Sequence, residues 1–273
     1  MIRHLSLSII GLFVLGFLLV TSPESNQPQA SAEVIPSPTP KTTNYPRPEK
    51  FQVPILMYHY IRNAEGESEL GKNLSVSPEN FDRQIKYLKD DNYQSIILSD
   101  LADPERKTLS KIYFQKQKPI VLTFDDGYED AYIAALPVLK KHQFVGTFFL
   151  INNFIDKEGR LKNWQIEEMK AAGMEFGSHT LSHPDLTKIS IDEAREQISA
   201  SKGESTTFCY PAGKYNQDVI NLVQEAGYKI AVTTKIGIAR ETSPVLELPR
   251  IRVENTTPQV LLDKISYAYE QGI

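Results

Sequence analysis

The 273-residue chain is poor in cysteine and has no excess of basic residues. Cys209 is its only thiol, so no intramolecular disulfide can form and stability must come from the core. The chain contains 30 Lys and Arg residues and 34 Asp and Glu residues, which gives a formal net charge of −4. Nucleic-acid binding requires a basic surface that this composition does not supply. We therefore expect no nucleic-acid partner, and the sequence indicates no protein partner.

Long apolar runs are also scarce, and the longest is the uncharged stretch from Leu5 to Val20, preceded by Arg3 and His4. This layout is typical of an export signal, although the run is shorter than the roughly 20 residues of a membrane-spanning helix. We expect residues 1–22 to form a signal peptide or an N-terminal membrane anchor. The protein is then exported, and it is either secreted or anchored on the outer side of the cytoplasmic membrane.

Proline is concentrated in one segment, since residues 23–50 hold seven of the 17 prolines and almost no large apolar side chains. This composition is typical of an extended, semi-rigid linker or a disordered tail. We expect the folded domain to occupy residues 51–273. The hydrophobic content of the whole chain, 41%, is enough to build a core.

Short apolar runs alternate with amphipathic segments after residue 51, which indicates βα units and a parallel sheet. Helix starts are marked by capping residues followed by apolar residues at helical spacing. These caps are Ser77, Asn163, Ser190, Asn216 and Thr257. The predicted strands are residues 53–58, 93–98, 120–124, 145–151, 174–178, 206–210, 229–234 and 246–253. Seven or eight such units in a single domain predict an α/β fold, a (β/α) barrel with functional residues at the C-terminal ends of its strands.

Two of these strand ends carry side chains suited to a metal. Asp125 and Asp126 follow an apolar strand in the stretch TFDDG, where two adjacent carboxylates repel each other unless a cation or a proton is shared. His179 and His183, in HTLSH, are four residues apart, so one turn brings both imidazoles to the same side. Two imidazoles and one carboxylate predict a three-ligand metal site, and the second carboxylate is then available to accept a proton from water.

Five segments together resemble the polysaccharide deacetylases of the NodB-homology type, carbohydrate esterase family four. They are TFDDG, HTLSH, FCYPAGKYN, PILMYHYI and LPRIRV, and the resemblance extends from residue 53 to residue 253. It implies a distorted (β/α) barrel and hydrolytic removal of acetyl groups from sugar polymers with a divalent metal. By position, the resemblance implies Asp125 as the base and Asp126, His179 and His183 as ligands. Zinc is the expected metal, with cobalt, nickel or iron as alternatives.

Other roles depend on departures from the family pattern. Pro211 has no N–H, so the backbone of Ala212 is the expected oxyanion donor. Cys209 occupies the place of an arginine that holds the base in many relatives, and either Arg250 or Arg252 could replace it, with Arg250 as our candidate. No histidine follows His183, so the usual C-terminal acid is missing.

His59 ends the first predicted strand and is the spare imidazole at that face, so we take it as the candidate general acid. A core histidine bonded to a neighbouring loop is an equal alternative. Cys209 is interpreted as a buried apolar residue.

Aromatic and loop residues near the strand ends are expected to contact substrate, although an aromatic at a barrel rim can equally belong to packing. They are Tyr210, Pro211, Gly213, Tyr215 and Trp164, with Tyr128 as a further stacking candidate. The predicted function is metal-dependent N-deacetylation of an extracellular or cell-wall polysaccharide containing N-acetylglucosamine. The alternatives are deacetylation of peptidoglycan or of an O-acetylated polymer, a weakly active carbohydrate-binding relative, and an unrelated metal amidase or esterase.

Overall fold

The computed structural model describes residues 46, 48 and 50–273. The predicted signal or anchor at residues 1–22, and nearly all of the linker, therefore lie outside the described residues. The strands are β1 Gln52–Tyr58, β2 Tyr60–Ile61, β3 Ser75–Val76, β4 Tyr93–Ile96, β5 Lys118–Phe124, β6 Thr147–Leu150, β7 Glu175–Ser178, β8 Thr207–Cys209, β9 Ile230–Ile236, β10 Ile238–Arg240 and β11 Leu248–Arg252. The α-helices are α1 Glu69–Leu74, α2 Pro78–Asp90, α3 Lys107–Phe114, α4 Leu136–His142, α5 Asn163–Ala171, α6 Ile191–Ser199, α7 Gln217–Glu225 and α8 Pro258–Glu270.

Seven parallel strands close into a ring in the order β1, β5, β6, β7, β8, β9, β11 and back to β1. The predicted barrel is therefore confirmed. Strand β4 is not part of the ring, because it pairs with residues Lys118–Val121 of β5 while β1 pairs with Val121–Phe124. Strand β10, which the sequence analysis did not predict, adds antiparallel to the beginning of β1.

The strands alternate between two apolar environments, as period-two side-chain geometry requires. Leu122 and Phe124 of β5 face the cluster that lies between the sheet and helices α2 and α8. Val121 instead packs with Ile55, Phe149 and residues of other ring strands, a grouping that only the barrel interior allows. Residues at alternate positions further along each strand must then point into the mouth of the barrel.

Apolar side chains close the barrel at the N-terminal ends of its strands. The turn Leu98–Ala102 and helix α3 contribute apolar side chains to the interior cluster that also contains Phe51. Arg106, at the start of α3, stacks its guanidinium over Phe51 at 5.0 Å and donates from Nη1 to the Pro48 carbonyl at 2.9 Å. The chain therefore enters the barrel at the end opposite the C-terminal ends of the strands.

The predicted helix starts agree with the structure at four of the five positions. Ser77, Ser190, Asn216 and Thr257 each accept a hydrogen bond from a backbone N–H in the first helical turn. Asn163 is not a cap, because it is already the first residue of α5, and its N–H donates to Asp156 Oδ1 at 2.9 Å. Within the described residues, no helix combines the length and apolar character needed to span a bilayer.

Candidate active site

Asp125 lies at the mouth of the barrel, directly after β5, and is 4% exposed. Arg250 of β11 binds it with two parallel hydrogen bonds, Nη1 to Oδ1 at 2.7 Å and Nη2 to Oδ2 at 2.8 Å. Arg250 is itself 1% exposed and also donates to Thr123 Oγ1 and to the Thr233 carbonyl. Burial alone would raise the pKa of Asp125, but the charge and hydrogen bonds of Arg250 hold that pKa well below its usual range.

Asp126 follows with a left-handed backbone, at φ 74°, and its carboxylate has different neighbours. Its Oδ1 lies 3.5 Å from His179 Nε2 and 3.7 Å from His183 Nε2. The backbone turn thus separates the two adjacent carboxylates. Asp125 faces a guanidinium, and Asp126 faces two imidazoles.

The two imidazoles are held by local structure. His179, 2% exposed, follows β7 and places Nδ1 2.7 Å from the Cys209 carbonyl. A carbonyl can only accept, so Nδ1 carries a proton, and Nε2 is the nitrogen that faces Asp126 and is available to a cation. His183 adopts φ 62°, and its backbone N–H donates to Thr180 Oγ1 at 2.9 Å.

Asp126, His179 and His183 fit a divalent cation. One ligand atom from each side chain lies within 4.8 Å of the others, and a carboxylate with two imidazoles is a common ligand set of hydrolytic metal sites. Asp125, His179 and Cys209 form a second group within the same distance. Arg250 already engages both oxygens of Asp125 and lies 3.3 Å from Cys209 Sγ, so a cation there would meet a buried positive charge. The first group is therefore the better candidate for a cation site.

His59 is brought to the same site, as its strand-end position predicted. Its Nε2 lies 3.7 Å from Asp125 Oδ2, and its side chain is 14% exposed. Burial lowers the pKa of His59, and the nearby charges of Asp125 and Asp126 oppose that shift only in part. The role of general acid stays a prediction.

Cys209 does more than fill the core. It is fully buried, as predicted, but its Sγ lies 3.6 Å from Asp125 Oδ2, and its carbonyl orients His179. Sequence reasoning missed both contacts, because a strand pattern identifies a buried face without naming the residues across it. Of the two arginine candidates, Arg250 is the one that binds Asp125, whereas Arg252 is exposed.

Only some of the residues predicted to contact substrate are accessible. Tyr210 is 1% exposed and packs between Phe208 and Tyr215, so the prediction that its ring contacts sugar is wrong. Pro211 is buried as well, so it offers little surface to a substrate. Tyr215 stacks on Tyr210 at 4.6 Å and donates its hydroxyl to Glu247 at 2.8 Å.

Three other predicted residues have simpler surroundings. A glycine is required at position 213 for packing, because an added Cβ would lie 1.9 Å from Thr234 Oγ1. Ala212 is exposed at φ 50°, beside the buried Pro211. Trp164 is 56% exposed on α5 and contacts Tyr132 edge-on at 5.2 Å.

The fold and the site together define a class of protein, a (β/α)-barrel hydrolase with a candidate metal centre at its mouth. The family model described as polysaccharide deacetylase matches residues 114–231. The chain is 30% identical over 243 residues to YxkH of Bacillus subtilis (strain 168), which covers 84% of this chain and 82% of that protein. The chain therefore belongs to the polysaccharide deacetylase family, which confirms the predicted enzyme class, a hydrolase of amide bonds.

Two further relatives carry more specific names. The solved structure of the Streptococcus pyogenes deacetylase PplD in complex with acetate has a TM-score of 0.71 and 33% identity, covering 78% of this chain and 98% of that one. The poly-β-1,6-N-acetyl-D-glucosamine N-deacetylase of Staphylococcus aureus (strain MRSA252) is 24% identical over 245 residues, which is 77% of this chain and 81% of that protein.

Proposed function

We propose that this protein is an exported, metal-dependent N-deacetylase of a polysaccharide that contains N-acetylglucosamine. The observation that carries the proposal is the pairing of two sites at the barrel mouth. Asp126 faces His179 and His183, while Asp125 beside it is buried and held ionised by Arg250. Asp126 and the two histidines are suited to bind a cation, and Asp125 is suited to act as a base.

Asp126, His179 and His183 would hold the metal, with zinc expected and cobalt, nickel or iron as alternatives. A bound divalent cation supplies Lewis acidity, which polarises the acetyl carbonyl and lowers the pKa of water. The nitrogen lone pair of His179 points toward the ligand group because the Cys209 carbonyl fixes its other nitrogen.

The remaining residues move the protons. Asp125 accepts a proton from the attacking water, and Arg250 holds the carboxylate oriented and ionised for that step. The C–N bond of the acetamide then breaks to release acetate and a free amine. His59, whose Nε2 lies 3.7 Å from Asp125 Oδ2, is the candidate acid. Burial lowers its pKa and favours the neutral imidazole, so the proton that it gives to the departing nitrogen is the one that Asp125 takes from water. The N–H of Ala212 is the candidate donor to the oxyanion.

Two features support the substrate and the location. The Staphylococcus aureus relative is named for an N-acetylglucosamine polymer, and its match extends over 77% of this chain. The apolar run from Leu5 to Val20, followed by the proline-rich segment, supports export and either secretion or anchoring at the membrane.

Acetate release from N-acetylglucosamine oligomers tests the proposal. We expect Asp125→Asn to lower kcat about a hundredfold or more, because loss of a general base typically costs that much, while oligomer binding persists. Asp263→Asn, on the exposed side of α8, is the matched control and should release acetate at the wild-type rate. A chelator should abolish release by the wild type, and added Zn²⁺ or Co²⁺ should restore it. Oligomer binding without release that depends on Asp125 would instead identify a carbohydrate-binding relative.

A further inference from the structure

Five stacked side chains form a ladder beside the candidate metal centre. The Arg62 guanidinium lies 3.6 Å over the ring of Tyr60, and Tyr60 packs on Tyr128 with ring centroids 4.0 Å apart. The Arg160 guanidinium lies 4.0 Å over Tyr128 and 4.9 Å over Phe154. The two tyrosine hydroxyls hydrogen-bond at 2.7 Å. We call this set, Arg62, Tyr60, Tyr128, Arg160 and Phe154, the arginine–tyrosine ladder.

The ladder is fixed rigidly to the metal-ligand turn. Arg160 Nη1 donates to the backbone carbonyl of Asp126 at 2.7 Å. Tyr128 and Arg160 form an antiparallel bridge, and the Leu161 N–H donates to the Gly127 carbonyl at 3.0 Å. A group bound at Arg160 would therefore lie at a set position relative to Asp126.

Arg160 has the features of a carboxylate receptor. Tyr128 and Phe154 flank its guanidinium, so its in-plane N–H groups are left for hydrogen bonding, and only one of them goes to Asp126. Among residues 46, 48 and 50–273, no carboxylate lies within 4.0 Å of Arg160. A planar guanidinium held in place, with N–H groups not taken by the protein, suits two-point binding of a carboxylate.

The charge balance around the mouth points the same way. Several carboxylates of the described residues have a cation partner, and among them Asp125 has Arg250, Glu67 has Arg62, Asp185 has Lys214 and Glu247 has Lys235. Glu129 accepts from the Gln165 amide. Burial raises the pKa of Asp130 to about 6, and the charges of Arg62 and Arg160 oppose that shift without forming an ion pair to it within 4.0 Å. Arg160 therefore feels the charge of Asp130 but forms no ion pair within 4.0 Å in the described part of the chain.

We propose that the ladder binds a carboxylate carried by the polysaccharide, with the Arg160 guanidinium, held in place by Tyr128 and Phe154, binding the anion. The substrate class is then an acetylated amino-sugar polymer with acidic substituents, rather than a neutral homopolymer. This inference rests on the proposed function for the reaction itself. The binding of an acidic glycan stands on the ladder alone.

Matched oligosaccharides test the inference. The probes are an oligomer of N-acetylglucosamine and N-acetylmuramic acid with free carboxylates, and the same oligomer with those carboxylates converted to amides. We expect calorimetry and acetate release to show about a tenfold preference for the acid, since a charge-assisted hydrogen bond contributes roughly 1.5 kcal/mol or more. The preference should shrink at high salt, because ions screen the attraction.

Variants then locate the preference. Arg160→Gln can still donate to the Asp126 carbonyl but has no charge, so the acid-to-amide ratio should fall close to one, and Arg160→Lys should restore part of it. Arg83→Gln on α2, whose partner Glu79 is 3.8 Å away, is the distant control and should leave the ratio at the wild-type value.

Equal wild-type affinity for acid and amide would overturn the inference, and this comparison needs no variant. A preference that survives in Arg160→Gln would overturn the role of Arg160. If the wild type prefers the acid in binding but releases no acetate from either probe, the proposed function fails while the anion site is supported.

Discussion

Asp125 and Asp126 are neighbours in the chain, and their opposite surroundings divide the chemistry between them. The left-handed backbone at Asp126 turns its carboxylate toward His179 and His183, away from Arg250. Like charges one residue apart are tolerated because each carboxylate has positive or proton-bearing partners of its own. The same turn also exposes the Asp126 carbonyl to Arg160. One residue therefore connects the candidate metal centre to the arginine–tyrosine ladder.

Arg250 offers a test of how Asp125 is held. Lysine keeps the charge but loses the two parallel hydrogen bonds, so we expect Arg250→Lys to lower kcat/KM about a hundredfold through misplacement of the base. Arg250 lowers the pKa of Asp125, and a weaker partner lets that pKa rise. Asp125 then stays protonated to a higher pH, and the acidic limb of the pH–kcat/KM profile should move upward.

The measurement is that profile, taken at matched metal content. Arg195→Lys on α6, at an exposed ion pair with Glu225, is the control and should keep the wild-type profile. An unchanged acidic limb in Arg250→Lys would show that Arg250 does not set the ionisation of the base.

Strand β7 shows how an element positions a ligand. Gly177 lies between Phe149 and Thr207 on the neighbouring strands, and an added Cβ would come within 2.5 Å of both side chains. The absence of a side chain lets β7 approach its neighbours closely, and His179 follows two residues later. The position of this imidazole thus depends on the fit of the strand in the barrel.

Gly177→Ala should therefore disturb both stability and the candidate site. Overpacking in a barrel interior costs roughly 1–3 kcal/mol, and we expect a lower melting temperature together with weaker Zn²⁺ or Co²⁺ binding. Thermal unfolding and metal titration measure the two effects. Gly71→Ala in α1, where the added methyl meets Glu67 and none of the candidate metal ligands, is the control and should bind Zn²⁺ or Co²⁺ with the wild-type affinity. Equal metal affinity in Gly177→Ala and the wild type would contradict the argument.

The two ends of the barrel differ in the described part of the molecule. The strand C-termini form the mouth with the candidate active site, and the opposite end is closed by α3 and by the turn Leu98–Ala102. Residues Asn44–Ile273 form one compact unit, and Arg106 fastens its beginning through Pro48. Folding and chemistry should therefore be properties of this unit alone.

A shortened protein that begins at Pro46 tests whether the compact unit folds and acts without the preceding residues. It should melt at the same temperature as the full chain and release acetate from soluble oligomers at the same rate. A protein that begins at Val53 loses the Pro48 contact and the buried Phe51, whose burial contributes roughly 2 kcal/mol, and should melt at a lower temperature. Loss of activity in the first shortened protein, with its melting temperature unchanged, would show that the N-terminal segment takes part in the reaction.

Local patterns in the sequence predicted the barrel class, the positions of most strands and four helix caps, and together with the family resemblance they predicted the group Asp126, His179 and His183. Periodicity and capping act over a few residues, and parallel strands bring their C-terminal ends together in any such fold. Those local rules could not choose between Arg250 and Arg252, because alternation places both on one face without giving their depth.

The folded barrel was needed to show that Arg250 binds Asp125, 125 residues away, that Tyr210 is buried, and that β4 lies outside the ring. It also brought Tyr60, Tyr128 and Arg160 into one ladder. Contacts of this kind depend on which strands become neighbours and how deeply each side chain packs. These are properties of the closed barrel, and no single segment carries them.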